Sequence, residues 1–157
     1  MAAESRRAEQ AELAEINRVI ESAIDSWGLS ERVKRLSLSS YRYQEQDWDH
    51  LTFHVALDPQ VVGVATWETA DADDTPAGAG RALLLHGLYV NPQHQGRGVG
   101  TRLLQAAIDA ARGGGFGGVL VKAHAKSQTF FANKGFDLLS ITDPRRDYPY
   151  RYWRAIP

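Results

Sequence analysis

The chain has no cysteine at all. That absence excludes disulfides, thiolate metal sites and a cysteine nucleophile together. A charge excess of either sign is also missing: 18 Lys and Arg stand against 19 Asp and Glu, for a formal net charge of -1. Nothing in that balance gives a broad electrostatic reason to bind nucleic acid or an anionic membrane. No apolar run approaches the length of a membrane span. The Met1–Arg7 start is polar with no apolar run behind it, so no secretory signal is read and the cytoplasm is the expected location. Internal repeats are lacking, and low complexity is confined to Gly113–Gly118 and the Asp71–Gly80 segment.

What is present suits one globular domain over residues 1–157, with a hydrophobic fraction of 43% that is ordinary for such a domain. Leu13, Ile16, Ile20, Ala23, Ile24 and Trp27 recur at helical spacing and predict an amphipathic helix over 8–27, stopped at Gly28. Ser30 is placed to cap a second helix through Ser37, with Val33 and Leu36 expected on its inner face. Residues Leu51–Leu57 alternate, Asp58-Pro59-Gln60 is a turn, and Val61–Glu68 runs back, which is a hairpin. The acidic, Gly- and Pro-containing Asp71–Gly80 stretch is a loop.

Ala82–Val90 is nearly all apolar and reads as a central strand, interrupted by Gly87, which marks a bulge or a close backbone contact. A helix over 98–112 follows, with Val99, Leu103, Leu104, Ala107, Ile108 and Ala111 as its buried stripe. Val119–Ala123 is a strand and Ser127–Lys134 a helix ended by Gly135. Leu138–Ile141 and Arg151–Ile156 are the last strands, joined by Thr142–Tyr150. No strand is evident before Ala8. The order gives a mixed α/β (α+β) domain with an antiparallel front half and a strand–helix–strand unit behind it.

Between the central strand and its helix lies Asn91-Pro92-Gln93-His94-Gln95-Gly96-Arg97-Gly98-Val99-Gly100-Thr101. A glycine turn opening a helix gathers free main-chain N–H groups at the positive end of the helix dipole, a site for phosphate oxygens. Glycine also lets a ligand approach the backbone. A P-loop needs a Lys-Ser/Thr pair after its last glycine, and Gly100-Thr101 supplies no lysine. A dinucleotide fingerprint needs a third glycine where Thr101 stands, and an acidic residue where the next strand ends in Lys122. A dinucleotide-dependent oxidoreductase is therefore remote. A bare helix-starting turn remains the plainer alternative, although three glycines at alternate positions exceed what that requires.

Gln95-Gly96-Arg97-Gly98-Val99-Gly100 matches the Q/R-x-x-G-x-G/A pattern. Together with Leu88-Tyr89-Val90-Asn91-Pro92 and the later Phe130-Phe131-Ala132-Asn133-Lys134-Gly135-Phe136, it resembles the GNAT superfamily of acyl-CoA-dependent N-acetyltransferases. The resemblance runs from Leu51 to the C-terminus and is looser over the N-terminal helices. It implies a mostly antiparallel central sheet flanked by helices, with splayed fourth and fifth strands. It implies acetyl-CoA as co-substrate, no metal, an amine-bearing acceptor, and leaves a homodimer open.

The resemblance also implies the site. Main-chain N–H groups from Gln95, Gly96, Arg97, Gly98, Val99, Gly100 and Thr101 would bind the pyrophosphate, with the Arg97 side chain either adding a contact or pointing into solvent. Leu88, Tyr89 and Val90 would pair with the pantetheine arm, and the Leu88 backbone would face the thioester oxygen. His86 is the candidate base, its ordinary pKa of ~6.5 suiting the task; the alternative is a buried structural imidazole bonded to backbone. Many members of the family place a thiolate-protonating tyrosine where Phe131 stands, which leaves Phe131 as cofactor-side wall and core. Water, His124 or a tyrosine of Asp147–Tyr152 can replace it, and a thiol of pKa ~8.5 is a tolerable leaving group unaided. Phe131 also favours an alternative, a non-catalytic acyl-CoA-binding module of the same fold. On the acceptor side, Tyr148, Tyr150, Tyr152 and Trp153 form either an aromatic wall or a packed edge.

Overall fold

The structure, a computed structural model, describes residues 4–157. Among the described residues seven strands form one mixed, mostly antiparallel sheet in the order β1-β2-β3-β4-β5-β7-β6. They are β1 Glu4–Arg7, β2 Thr52–Leu57, β3 Val61–Thr69, β4 Ala82–Val90, β5 Gly118–Lys122, β6 Asp137–Leu138 and β7 Arg151–Ala155. Four α-helices accompany them: α1 Leu13–Asp25, α2 Glu31–Tyr41, α3 Val99–Gly113 and α4 Gln128–Asn133. Short 3-10 turns cover Gln10–Glu12, Glu45–Asp49, Ala72–Asp74, Pro92–His94 and Ala125–Ser127. The chain groups into two compact units, Met1–Thr66 with Gly87–Ala106, and Trp67–His86 with Ala107–Pro157.

In the first unit, α1 buries Ile16, Val19, Ile20 and Ile24 against Phe53, Val55 and Val64. Each such side chain contributes about 1.5–3 kcal/mol relative to exposure. The helix starts later than its periodicity suggests. Ala8 donates its N–H to the Phe53 carbonyl at 2.9 Å and so extends an edge strand instead. That strand, β1, corrects the expectation that none precedes Ala8. It pairs antiparallel with β2, Glu4 opposite Leu57 and Arg7 opposite His54. Its sequence Glu-Ser-Arg-Arg is polar because an outermost strand is mostly exposed. The Ser30 cap is present, its hydroxyl accepting the Val33 N–H at 3.3 Å. The inner face of α2 is not the expected one: Val33 is 45% exposed and Leu36 62%. Lys34, Ser37 and Leu38 turn inward instead. Lys34 also pairs with Asp25.

In the second unit, β5 lies between β4, which it parallels with Ala82 opposite Gly118 and Leu85 opposite Val121, and β7, which it opposes with Lys122 facing Arg151. Beyond Leu85, β4 continues to Val90. Phe131 on α4 is buried between the edges of Phe130 and Phe136. The strand expected over Leu138–Ile141 reduces to Asp137–Leu138, paired with Trp153 and Tyr152. Leu138 and Ile141 are 55% and 49% exposed, so their apolar character marks surface and not a core strand.

Candidate functional site

The glycine turn is held at both ends by neighbouring residues of β3. At its start, the Asn91 N–H donates to the Val62 carbonyl at 2.8 Å. The Asn91 side chain then accepts the Gln93 N–H at 3.0 Å, and the Pro92–His94 turn follows. At its end, α3 sits on Gly63. A Cβ there would lie 2.8 Å from Leu103 Cδ1 and 2.9 Å from Val99 Cγ1, closer than real carbons approach. Gly63 is a site-shaping residue that the sequence reading missed. Its signal was an isolated glycine in the apolar run Val61-Val62-Gly63-Val64-Ala65, the same signal read at Gly87.

Between these anchors the backbone turns through Gly96 at φ +78° and Gly98 at φ +81°. Both are in the left-handed region that penalises side chains by roughly 1–2 kcal/mol. An added Cβ at either would meet no protein atom within 4 Å. Packing therefore does not demand these glycines; the backbone conformation does, and the space beside them is open. Gln95, Gly96, Arg97, Gly98 and Thr101 are exposed, Gly100 half-buried, and Val99 buried.

The hydrogen bonds of this turn define what it offers a ligand. The Gly98 carbonyl accepts the Arg102 N–H at 3.0 Å, the first α-helical bond of α3. The N–H groups of Val99, Gly100 and Thr101 precede that bond and have no intrahelical acceptor. The first turn of α3 has no acidic side chain. The Gln95 N–H points back to the Pro92 carbonyl at 3.4 Å, so the Gln95 main chain is already engaged within the turn. A helix entrance of this kind suits phosphate oxygens, and that fits the diphosphate of coenzyme A.

The neighbouring strand carries the other sequence candidates. His86 is exposed, which removes the reading of a buried imidazole. Leu88, Tyr89 and Val90 are half-buried. Gly87 is explained by close approach: a Cβ there would lie 2.5 Å from the Tyr43 hydroxyl, 2.9 Å from Tyr89 Cε2 and 3.2 Å from Thr66 Oγ1. Tyr43 Oη and Thr66 Oγ1 are hydrogen-bonded at 2.7 Å. Buried Asn17 holds the Tyr43 main chain from both sides, donating to its carbonyl and accepting its N–H, each at 2.9 Å.

In the second unit the remaining candidates have structural duties. His124 Nδ1 accepts the Lys126 N–H at 3.2 Å and caps a 3-10 turn. The Tyr148 hydroxyl donates to the Ala123 carbonyl at 2.7 Å, and Tyr152 pairs with Gln128 at 2.8 Å. The Thr142–Tyr150 loop is organised by buried Asp147. Its Oδ2 accepts the Thr142 N–H and hydroxyl at 2.9 Å each and the Asp143 N–H at 3.1 Å. Arg146 lies 3.1 Å from Oδ1 and Arg151 3.4 Å from Oδ2. The Asp143 N–H, then the Thr142 N–H and hydroxyl, with help from Arg146, hold the Asp147 carboxyl far below the usual carboxylate range. Among the described residues no group of three or more side chains could hold a metal ion. No helix among them is long and apolar enough to cross a membrane.

No curated protein sequence matches the chain. Solved structures match it over nearly its whole length. A PaiA N-acetyltransferase from Thermoplasma acidophilum, in complex with coenzyme A, superposes with a TM-score of 0.77 at 16% identity, covering 99% of this chain and 100% of that one. A GNAT family acetyltransferase from Brucella melitensis, in complex with acetyl-CoA, gives 0.69 at 20% identity, covering 99% and 88%. A GCN5-related N-acetyltransferase from Rhodopseudomonas palustris gives 0.73 at 19% identity, covering 99% and 97%. At such identities the likeness establishes the fold. The family model for the acetyltransferase (GNAT) family matches residues 16–136, from the first buried turn of α1 to the Gly-Phe pair after α4. This chain therefore belongs to the acetyltransferase (GNAT) family.

Proposed function

We propose that this protein moves an acetyl group from acetyl-CoA directly to a primary amine of a small molecule, peptide or protein, with no covalent acyl-enzyme. The observation that carries the reading is the exposed turn at Gly96 and Gly98 whose helix-entrance N–H groups have no acceptor within α3. Family membership and the coenzyme A and acetyl-CoA complexes of the structural relatives support it. When bound, the thioester supplies an activated acetyl group with a good leaving thiolate.

The chain's own residues supply the rest. The main chain from Gly96 to Thr101 holds the diphosphate, with Gln95 and Arg97 beside it. The polar backbone of Leu88, Tyr89 and Val90 receives the pantetheine arm as an added strand. The Leu88 N–H donates to the carbonyl oxygen as negative charge gathers there. His86, exposed on β4, takes the proton from the incoming ammonium so that a neutral amine attacks. Phe131 has no proton to give and is packed against two phenylalanines, so it contributes core. Solvent then takes the second nitrogen proton as the amide forms and protonates the departing thiolate. The setting proposed is the cytoplasm, with no nucleic-acid or membrane partner and a homodimer as the candidate assembly.

Phe131 also favours a second reading, a non-catalytic acyl-CoA-binding module. One experiment separates the two. Acetyl-CoA binding is measured by calorimetry, and free thiol is followed with acetyl-CoA and a panel of primary amines. Binding with amine-dependent thiol release supports transfer. Binding without release on any amine supports the module, and no binding by folded protein rejects both. If His86 is the base, His86→Ala lowers the rate at neutral pH by about a hundredfold and removes the acid limb of the pH–rate profile. An unchanged profile removes His86 from the mechanism.

A further inference from the structure

β4 carries one residue more than the stretch of β3 it pairs with. The Ala70 N–H donates to the Ala82 carbonyl at 2.9 Å, and the Asn91 N–H to the Val62 carbonyl at 2.8 Å. Between these two bonds one strand advances eight residues, from Val62 to Ala70, and the other nine, from Ala82 to Asn91. In an antiparallel ladder such bonds join opposite residues, so β4 contains a bulge. Four residues along each strand from the Asn91–Val62 bond stand Gly87 and Thr66, opposite each other. The geometry agrees: Thr66 Oγ1 lies 3.2 Å from where a Gly87 Cβ would be. The extra residue therefore precedes Gly87, and regular pairing resumes there.

The residue on which pairing resumes decides which N–H groups a ligand can use. Their direction alternates along a strand. With the Asn91 N–H on β3, that of Tyr89 also turns to β3, and those of Leu88 and Val90 turn away. They face the edge on which pairing with β5 runs only from Ala82 to Leu85, while β4 continues to Val90. A slip of one residue would exchange the two sets.

What fixes this register is a buried hydroxyl pair. Gly87 is not among the glycines with positive φ, so space and not conformation asks for glycine there. A Cβ on it would lie 2.5 Å from the Tyr43 hydroxyl, which is hydrogen-bonded to Thr66 Oγ1 at 2.7 Å. Tyr43 and Thr66 are both buried, and Asn17 of α1 holds the Tyr43 main chain from both sides at 2.9 Å. A slip of one residue brings His86 or Leu88 under the hydroxyls, and either carries a Cβ that the place cannot hold. Tyr89, also close to that Cβ position, travels with β4 in such a slip, whereas Tyr43 and Thr66 stay. Stability alone does not ask for the pair. Replacing both partners of a buried hydrogen bond by apolar groups of the same shape is often nearly neutral.

We propose that the Tyr43–Thr66 hydroxyl pair, anchored to α1 through Asn17, locks the register of β4 beyond its bulge and is thereby the positioning pair that keeps the Leu88 N–H turned out for the transfer step. The role of that N–H rests on the transfer reading; the lock itself is testable without it. Neither hydroxyl touches a substrate. Each acts through Gly87, the one residue of the segment slim enough to pass beneath them.

The first test needs only the unaltered protein. Amide hydrogen exchange, followed by NMR, is expected to be slow at Tyr89 and Asn91 and fast at Leu88 and Val90. The latter two are expected to slow when coenzyme A is added. Leu88 exchanging as slowly as Tyr89 in the free protein overturns the register and the proposal with it. The second test compares Tyr43→Phe, Thr66→Val, both changes together, and Thr66→Ser. The first three are expected to lower kcat about tenfold, through a misaimed oxyanion donor. The double variant is expected to lose no more than either single one, because the two hydroxyls act as a unit. Coenzyme A affinity by calorimetry is expected to stay within about threefold of the parent. In the same variants Leu88 and Tyr89 are expected to exchange at more similar rates. Thr66→Ser keeps a hydroxyl and is expected to keep kcat. Variants that melt lower but retain both kcat and the alternating exchange would show packing alone and overturn the proposal. If the parent binds coenzyme A but releases no thiol with any amine, the transfer reading fails and exchange decides the lock by itself. Unchanged alternation in the folded double variant then overturns the lock, and lost alternation supports it.

Discussion

Two loops of this molecule collect main-chain N–H groups around a point, and they differ in what fills that point. In Thr142–Tyr150 the chain supplies its own anion: Asp147 takes the N–H groups of Thr142 and Asp143 and is itself buried. In the turn before α3 the helix-entrance N–H groups face no carboxylate of their own helix turn, and the surrounding residues are exposed. The first loop is shaped from within and needs no positive-φ residue. The second is shaped by Gly96 and Gly98 and clamped from outside by Val62 and Gly63. A loop that satisfies its own donors is scaffold. A loop that keeps them available is equipped for a ligand.

The sharpest way to break this contrast is to give the second loop an anion of its own. Thr101→Asp places a carboxylate in the first turn of α3, where negative charge stabilises a helix by about 0.3–1 kcal/mol. The variant is expected to melt slightly higher than the parent and to lose coenzyme A affinity by about a hundredfold, equivalent to about 2.7 kcal/mol. Calorimetry and thermal melting check the two effects together. Undiminished affinity would mean that the diphosphate is not held at this helix entrance.

The converse is to empty the first loop. Asp147→Asn keeps the shape but replaces a charged acceptor of four hydrogen bonds by an amide, and leaves Arg151, itself buried, without its carboxylate. Removing one member of a buried ion pair is among the most damaging single changes. The variant is expected to lose stability measurably in denaturant melts while its coenzyme A affinity stays within about twofold of the parent. Equal loss of both would contradict the assignment of this loop as scaffold.

Gly63→Val tests the outside clamp. A Cβ at 63 must displace Val99 and Leu103, and overpacking of this kind costs about 1–3 kcal/mol. Because the displaced residues begin α3, coenzyme A affinity is expected to fall about tenfold as well. A variant that loses stability but binds normally would show that the turn tolerates movement of its helix.

How much of this could be read beforehand follows from the range of the forces involved. The buried stripe of α3 was legible because Val99, Leu103, Leu104, Ala107, Ile108 and Ala111 all face inward at helical period, and all six are buried. The glycine turn was legible because its conformation is written in local residue types. Glu4–Arg7 was not, since an edge strand of polar residues owes its form to pairing with β2 and to nothing in its own pattern. The orientation of α2 was misread because Val33 and Leu36 are apolar too, while it is Leu38 that packs on the core cluster. Gly63 and the tyrosines around Gly87 act through contacts between distant segments. Asp147 resembles any solvated loop acid until the loop closes over it.

A further effect is expected in the acid limb of stability, and it too separates the two loops. The Asp147 carboxyl is held far below its unfolded value by the Asp143 and Thr142 donors, with Arg146. A group whose folded pKa is depressed stabilises the protein above its unfolded pKa, ~3.9 for aspartate, and that contribution is lost as pH falls through the folded value. Between about pH 5 and pH 2 the parent is therefore expected to lose stability progressively, and Asp147→Asn to lose less over the same interval because it has no such carboxylate to protonate. Thr101→Asp adds only an exposed carboxylate whose pKa is slightly lowered by the helix dipole, so its acid limb is expected to follow the parent closely. Denaturant midpoints at pH 5, 4 and 3 for the three proteins check this; parallel curves for parent and Asp147→Asn would mean that the buried carboxylate is not what closes the Thr142–Tyr150 loop.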